Sequence, residues 1–318
     1  AGIILGEIRT IRNIWLPGCP YPENMKNLKP TITQTSLLVM PFLGLMLNSG
    51  CEAVTQPANT EISLNKTLSA EVKEPVLLPP ATNGPVDAAT ILARPEVPIL
   101  CYHQIRDYRP SDSKTARDYI VPVARFREQM QALADSGYQT ILPGDLYHYL
   151  VNGKTLPEKP VMITFDDSRE DQVRAALPEL DKHGFKAAFF IMTVALNKPG
   201  YMTREQVRQL ADEGHCIGSH TYDHKNVKTY TADDWVDQVQ KPSVQLQTIT
   251  GKPVEYFAYP FGLWNKEAVS RLKDHEFKIS FQLAATRDPE DPLQSVRRII
   301  VPDWSGNTLI RVMRKSFK

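Results

Sequence analysis

Residues 159–171 read KPVMITFDDSRED. Val161, Met162, Ile163 and Phe165 form an apolar run that stops abruptly on two adjacent carboxylates, Asp166 and Asp167. Apolar residues at consecutive positions describe a strand covered on both faces, the habit of a parallel sheet. The following EDQVRAALPELDKHG has helical spacing and a helix-ending glycine, Gly184. A buried strand, a polar stop and a helix make half of a βαβ unit.

Working outward, the same alternation runs from Val97 to the C-terminus. VPILCYHQI, from Val97, reads as a strand, and VARFREQMQALADSGY as a helix with Phe126, Met130 and Leu133 on one face and Gly137 as its stop. YQTIL is strand-like, and DLYHYLVNG is a short helix closed by Gly153. FKAAFFIMT and CIGSHT are strands on either side of TREQVRQLADEGH, whose Thr203 and Gln206 have capping-box spacing. TADDWVDQVQKPSVQLQTITG is helical, with a kink expected at Pro242. VEYFAYPFG, NKEAVSRLKDHEF, KISFQLA, VRRIIVP and NTLIRVMRKSF continue the series. Such alternation predicts an α/β protein with a parallel sheet covered by helices, either a barrel or an open doubly wound sheet. In both, ligand chemistry gathers at the carboxyl ends of the strands.

Four strand ends carry groups suited to chemistry: His103, the Asp166–Asp167 pair, His220 with His224, and the Tyr259-Pro260-Phe261-Gly262 turn. One carboxylate and two imidazoles make a facial set for a divalent metal, and Asp167, His220 and His224 supply it. A dication there also offsets the repulsion between neighbouring carboxylates and leaves Asp166 free to accept a proton. The pair of histidines is not the zinc-protease helix motif, because Thr221 rather than Glu follows His220. His148, His183, His215 and His275 fall on helix faces or ends and are expected to be structural.

These residues resemble the polysaccharide deacetylases of the NodB-homology group, carbohydrate esterase family 4, from about Pro98 onward. TFDDS, SHTYDH and YPFG are similar to three motifs of that family. PILCYHQIRD and LPEKPVMITFDD look most like the poly-β-1,6-N-acetylglucosamine deacetylases of biofilm export systems. The resemblance implies a distorted (β/α) barrel of about seven strands. It implies one divalent transition metal (Zn, Ni, Co or Fe) and an N-acetylated glycan as substrate. It casts Asp166 as base, His103 as general acid and the Phe261 N–H as oxyanion donor. Tyr259, Pro260 and Trp304 become candidate glycan contacts.

Two departures stand out. Ser168 replaces the usual Gly after the Asp pair, and Ala258 stands where many relatives carry an Arg that orients the base. Arg297 or Arg298 is the expected substitute. A peptidoglycan N-deacetylase or acetylxylan esterase on the same scaffold, and a non-catalytic glycan-binding lipoprotein, are the competing readings.

The N-terminal third is different. Residues 1–24 fit no targeting pattern. Residues 25–50 have two lysines, an apolar core from Leu37 to Leu47 and small residues before Cys51, the pattern of a lipoprotein-type signal peptide with Cys51 as lipidation site. Residues 51–95, rich in Pro, Thr and Asn, read as a flexible tether, and 96–318 as the deacetylase domain. The protein is thus expected to be exported and lipid-anchored, in the outer membrane facing the periplasm, near polysaccharide-export components. A net charge of +1 over 318 residues, with no basic stripe, argues against a nucleic-acid partner. Cys101 and Cys216 lie in apolar runs and are expected to act as small buried hydrophobes.

Overall fold

A computed structural model describes residues 86–283 and 286–317. The leader, the signal peptide, Cys51 and the tether up to residue 85 lie outside the described residues. The last part of the expected tether is not extended. Ala88–Ala93 is a helix capped by the Asp87 side chain, which accepts the Thr90 N–H at 2.7 Å, and Ile91 is buried. Among the described residues no helix is long and apolar enough to cross a membrane.

The strands in chain order are β1 (Ile99–Tyr102), β2 (Gln104–Ile105), β3 (Ile120–Val121), β4 (Gln139–Thr140), β5 (Pro160–Phe165), β6 (Ala187–Ile191), β7 (Cys216–Ser219), β8 (Tyr256–Ala258), β9 (Ile279–Leu283) and β10 (Val296–Ile300). The main sheet runs β1-β10-β9-β8-β7-β6-β5, and β5 pairs back onto β1, so seven parallel strands close a barrel. Leu100 sits beside Ile163 on one side and Ile299 on the other. The expected barrel of about seven strands is the fold observed, and the open-sheet alternative is excluded. YQTIL is not a barrel strand. Only Gln139 and Thr140 pair, with Pro160 and Val161 at the start of β5, before β1 takes over that edge.

Alternate residues of each strand face opposite ways, and the packing follows. Met162, Ala188, Phe190, Ala258 and Phe281 join one cluster inside the ring. Val161, Ile163, Phe165 and Phe189 join another beneath the covering helices. Gly218 of β7 makes room for the Phe190 ring; a Cβ there would lie 2.6 Å from it. The capping box at Thr203 and Gln206 forms as read from the sequence, with bonds of 2.8 and 3.2 Å.

Two helices depart from simple periodicity just before a proline. Leu177 N–H bonds the Gln172 carbonyl, and Lys241 N–H bonds the Val236 carbonyl, each five residues back. Pro178 and Pro242 follow immediately and can donate no bond, so the preceding turn widens. The first of these widened turns lies directly behind the strand ends described next.

Candidate active site

β5 delivers Asp166 and Asp167 to the barrel's carboxyl rim, and the chain then turns through left-handed backbone at Asp167 and Ser168, φ 70° and 58°. A β-carbon is disfavoured there, which is why Gly suits the position after the pair. Ser168 holds the turn by other means. Its hydroxyl accepts the Met192 N–H at 2.7 Å, clipping the end of β5 to the end of β6.

Asp167, His220 and His224 converge. His220 Nε2 lies 3.5 Å from Asp167 Oδ1, and His224 Nε2 lies 3.7 Å from the same oxygen. The other His220 ring nitrogen, Nδ1, is 2.7 Å from the Ala258 carbonyl, so it must carry the proton and Nε2 presents a lone pair to the cluster. Donors about 2.0–2.2 Å from one ion lie roughly 3 Å or slightly more from each other, so these separations suit a shared cation. The three residues form a group able to hold a metal.

Electrostatics agree with that geometry. Burial disfavours a charged His220, yet Asp166 and Asp167 outweigh it and raise its pKa above the ordinary value. The negative potential that retains a proton there is one that would attract a dication. Burial and the neighbouring His220 push His224 down to about 4, leaving it neutral and able to ligate at neutral pH.

Asp166 is held apart from this set. Arg298 Nη1 donates to Oδ1 and Nη2 to Oδ2, both at 2.8 Å, a fork-to-fork pair in which both partners are buried. Burial pushes the Asp166 carboxyl up, but Arg298 and the nearby imidazoles prevail and hold it well below the usual range. Arg298 also donates to Thr164 Oγ1 at 3.0 Å and lies over the Phe190 ring. It therefore enters through the barrel interior, from β10, where Ala258 of β8 offers no cation. Arg297, its neighbour, points the other way, to Glu96 and the Ser316 carbonyl.

His103 sits where VPILCYHQI breaks into β1 and β2. Gln172, on the widened turn, donates to the carbonyls of both His103 and Asp166, at 2.6 and 2.5 Å, and ties the two strand ends together. Burial lowers the His103 pKa, with the two carboxylates acting in the opposite direction. Cys101 Sγ lies 3.5 Å from Asp166 Oδ2, and burial raises its thiol far above the ordinary range. Cys101 and Cys216 are both free.

A cavity of about 380 Å³ opens over these groups, lined by His103, Asp166, Asp167, His220 and His224 together with Gln104, Ala116, Tyr119, Tyr259, Phe261 and Leu283. Phe261 is 59% exposed, takes φ 60°, and meets the His224 ring edge-on at 4.4 Å. The candidate glycan contacts fare less well. Tyr259 borders the cavity, but its ring is fully buried and its hydroxyl donates to the Gln294 carbonyl. Pro260 is buried and does not line the cavity. Trp304 packs against the hydrophobic core beneath the helices, and its carbonyl accepts from Gln129. Gln172, Tyr119, Gln104 and Ala116 were not singled out in the sequence. For Gln104, Ala116 and Tyr119 the one signal is the long stretch between β1 and the first covering helix, unusual for a tight strand-to-helix turn; Gln172, after β5, carries none.

A closed parallel barrel with titratable groups gathered over its carboxyl rim defines an α/β-barrel enzyme. Residues 153–280 match the polysaccharide deacetylase family. The chain is 28% identical over 277 residues to the polysaccharide-deacetylase homologue YxkH of Bacillus subtilis, covering 84% of this chain and 95% of that one. It is 25% identical over 237 residues to the poly-beta-1,6-N-acetyl-D-glucosamine N-deacetylase of Staphylococcus epidermidis, covering 67% and 81%. Among solved structures, the Streptococcus pyogenes deacetylase PplD superposes with a TM-score of 0.64 at 26% identity, over 69% of this chain and 99% of that one. Residues 153–280 form a polysaccharide deacetylase domain, and the protein is a hydrolase that acts on the N-acetyl groups of a glycan polymer.

Proposed function

We propose that the enzyme is a metal-dependent deacetylase of poly-β-1,6-N-acetylglucosamine. The observation that carries the reading is the convergence of Asp167, His220 and His224 beside a separately anchored Asp166. Asp167, His220 and His224 would hold one divalent transition metal, which supplies Lewis-acid polarisation and a more acidic water.

The remaining chemistry belongs to the chain. Asp166, kept ionised and oriented by Arg298, takes a proton from the attacking water. The new C–O bond forms at the acetyl carbon, and the Phe261 N–H donates to the developing oxyanion. The C–N bond then breaks, His103 gives a proton to the sugar nitrogen, and acetate and a free amine leave. Burial favours neutral His103, so the proton it donates is one gained during turnover. The donor atoms of His103 and Asp166 lie within 4.8 Å of each other, a span one water can bridge.

The substrate assignment is supported by the extent of the match to the Staphylococcus epidermidis enzyme, two-thirds of this chain. The peptidoglycan-N-acetylmuramic acid deacetylase PdaA of Bacillus subtilis matches 44% of it. The pattern before Cys51 supports an exported, lipid-anchored protein that meets its polymer at the outer membrane, near export components. Replacing Cys51 by Ser should then abolish incorporation of a labelled fatty acid.

The functional test is acetate release by the metal-reconstituted enzyme from poly-β-1,6-N-acetylglucosamine oligomers, peptidoglycan and acetylated xylan in parallel. The first should be the best substrate. Faster release from either of the others would overturn the substrate assignment.

A further inference from the structure

The histidines of the cavity are not held alike. His220 is pinned through Nδ1 to the Ala258 carbonyl. His103 has no such pin. Its Nδ1 is buried and makes no hydrogen bond, and Gln172 holds its main-chain carbonyl rather than its ring. The second torsion of a histidine side chain has a broad energy profile, so a ring without a polar pin depends on packing for its aim. The packing partner is Tyr119, whose ring meets the imidazole edge-on, centroids 4.9 Å apart and planes at 80°.

Tyr119 is itself well placed. Its carbonyl accepts the Gln104 N–H at 3.1 Å, so it is bonded to the residue next to His103. The strap between them is stapled by Arg106, whose guanidinium donates twice to the Asp112 carboxylate, at 2.8 and 2.9 Å. Asp171 fixes the base of the strap by accepting the Ile105 N–H at 2.9 Å. The strap thus presents one ring to the cavity wall at a fixed distance from His103.

We propose that Tyr119 is a positioning residue for His103: ring packing replaces the missing hydrogen bond and keeps the imidazole aimed into the cavity. This rests on His103 being the general acid. A group misplaced by an ångström can lose on the order of 100-fold in rate, so losing the brace should lower kcat by about 10- to 100-fold. Tyr119→Phe, which keeps the ring, should stay within about 2-fold of the parent, because the contact is through the ring edge.

The test is a double-mutant cycle on the metal-reconstituted enzyme with N-acetylglucosamine oligomers, following kcat and KM separately. Tyr119→Ala should reduce kcat in the parent but have no further effect in a His103→Ala background. Tyr119→Leu, which preserves bulk, guards against a variant that fails to fold. If His103→Ala is severely impaired and the Tyr119 effect is still fully additive, or falls on KM alone, the positioning role is overturned while the acid assignment stands. If His103→Ala keeps its kcat, the acid assignment itself is overturned.

Discussion

The two ends of the barrel bend the chain through the same backbone conformation with different residues. At the amino end, where helices hand over to strands, left-handed φ falls on Gly137, Gly153, Gly184, Gly214 and Gly251, and on Glu276 alone among residues with a side chain. At the carboxyl end it falls mostly on residues with side chains, Asp167, Ser168, Asn197, Thr221, His224 and Phe261, and on two glycines, Gly200 and Gly262. Glycine adopts this conformation freely, whereas other residues are strained by roughly 1–2 kcal/mol. Two of the three proposed metal ligands are in the strained set. The amino rim is thus built for ease of folding, while the carboxyl rim tolerates strain to aim side chains, as functional sites often do.

The largest expected contrast concerns charge. Arg298→Met leaves Asp166 buried without its partner and should cost about 3–5 kcal/mol in urea denaturation, together with most of the activity. The same kind of change at the amino rim, Lys154→Met, removes an exposed pair with Asp145 and should cost less than about 1 kcal/mol. Equal losses would remove the distinction between the rims.

Glycine substitutions sharpen it next. A Cβ on Gly262 would sit 2.6–2.7 Å from Leu283, on top of a φ of 67°, so Gly262→Ala should cost about 2–4 kcal/mol. Gly214 has a φ of 87° but open space around it, so Gly214→Ala should cost only about 1–2 kcal/mol.

The amino rim also carries its own titration. His215 is buried, its Nδ1 accepts the Ala187 N–H at 3.1 Å, and burial, assisted by Lys186, pushes its pKa down to about 4. Folded His215 stays neutral while the unfolded chain takes up a proton below about pH 6.5. Its contribution is therefore full above that pH and is lost as pH falls toward 4, by about 3 kcal/mol. His215→Asn, which retains an acceptor, should flatten this part of the melting-temperature profile; an unchanged slope would show that another group is responsible.

The smallest change is at Ser168. Ser168→Gly relieves left-handed strain but loses the bond to the Met192 N–H, so stability should move by no more than about 1 kcal/mol. A larger loss would mean that the hydroxyl clip, not the backbone, governs the turn.

The contrast also explains what could be read in advance. Asp166, Asp167, His220 and His103 were legible because each marks the end of an apolar run, and a parallel barrel brings such ends to one rim. The base-orienting cation was legible only as a pair, Arg297 or Arg298. Strand alternation says that one faces inward but not which one, and the cavity beside Thr164 and Phe190 decides for Arg298. Gln172 and Tyr119 act across loops or over long sequence separations, where no period marks a contact. That Pro260 and Trp304 stand outside the cavity lining could not be read for the same reason, since the path of a rim loop is set by tertiary packing. The short pairing of Gln139 and Thr140 outside the ring shows that an apolar run alone does not assign a strand to the barrel.

The division of labour between the paired aspartates is tested most directly by metal content after reconstitution with cobalt or zinc and removal of loose ions. The parent and Asp166→Asn should each retain one equivalent, with only the parent active, and His220→Ala should retain none. Full occupancy in His220→Ala, or loss of the ion from Asp166→Asn in a folded protein, would contradict the assignment.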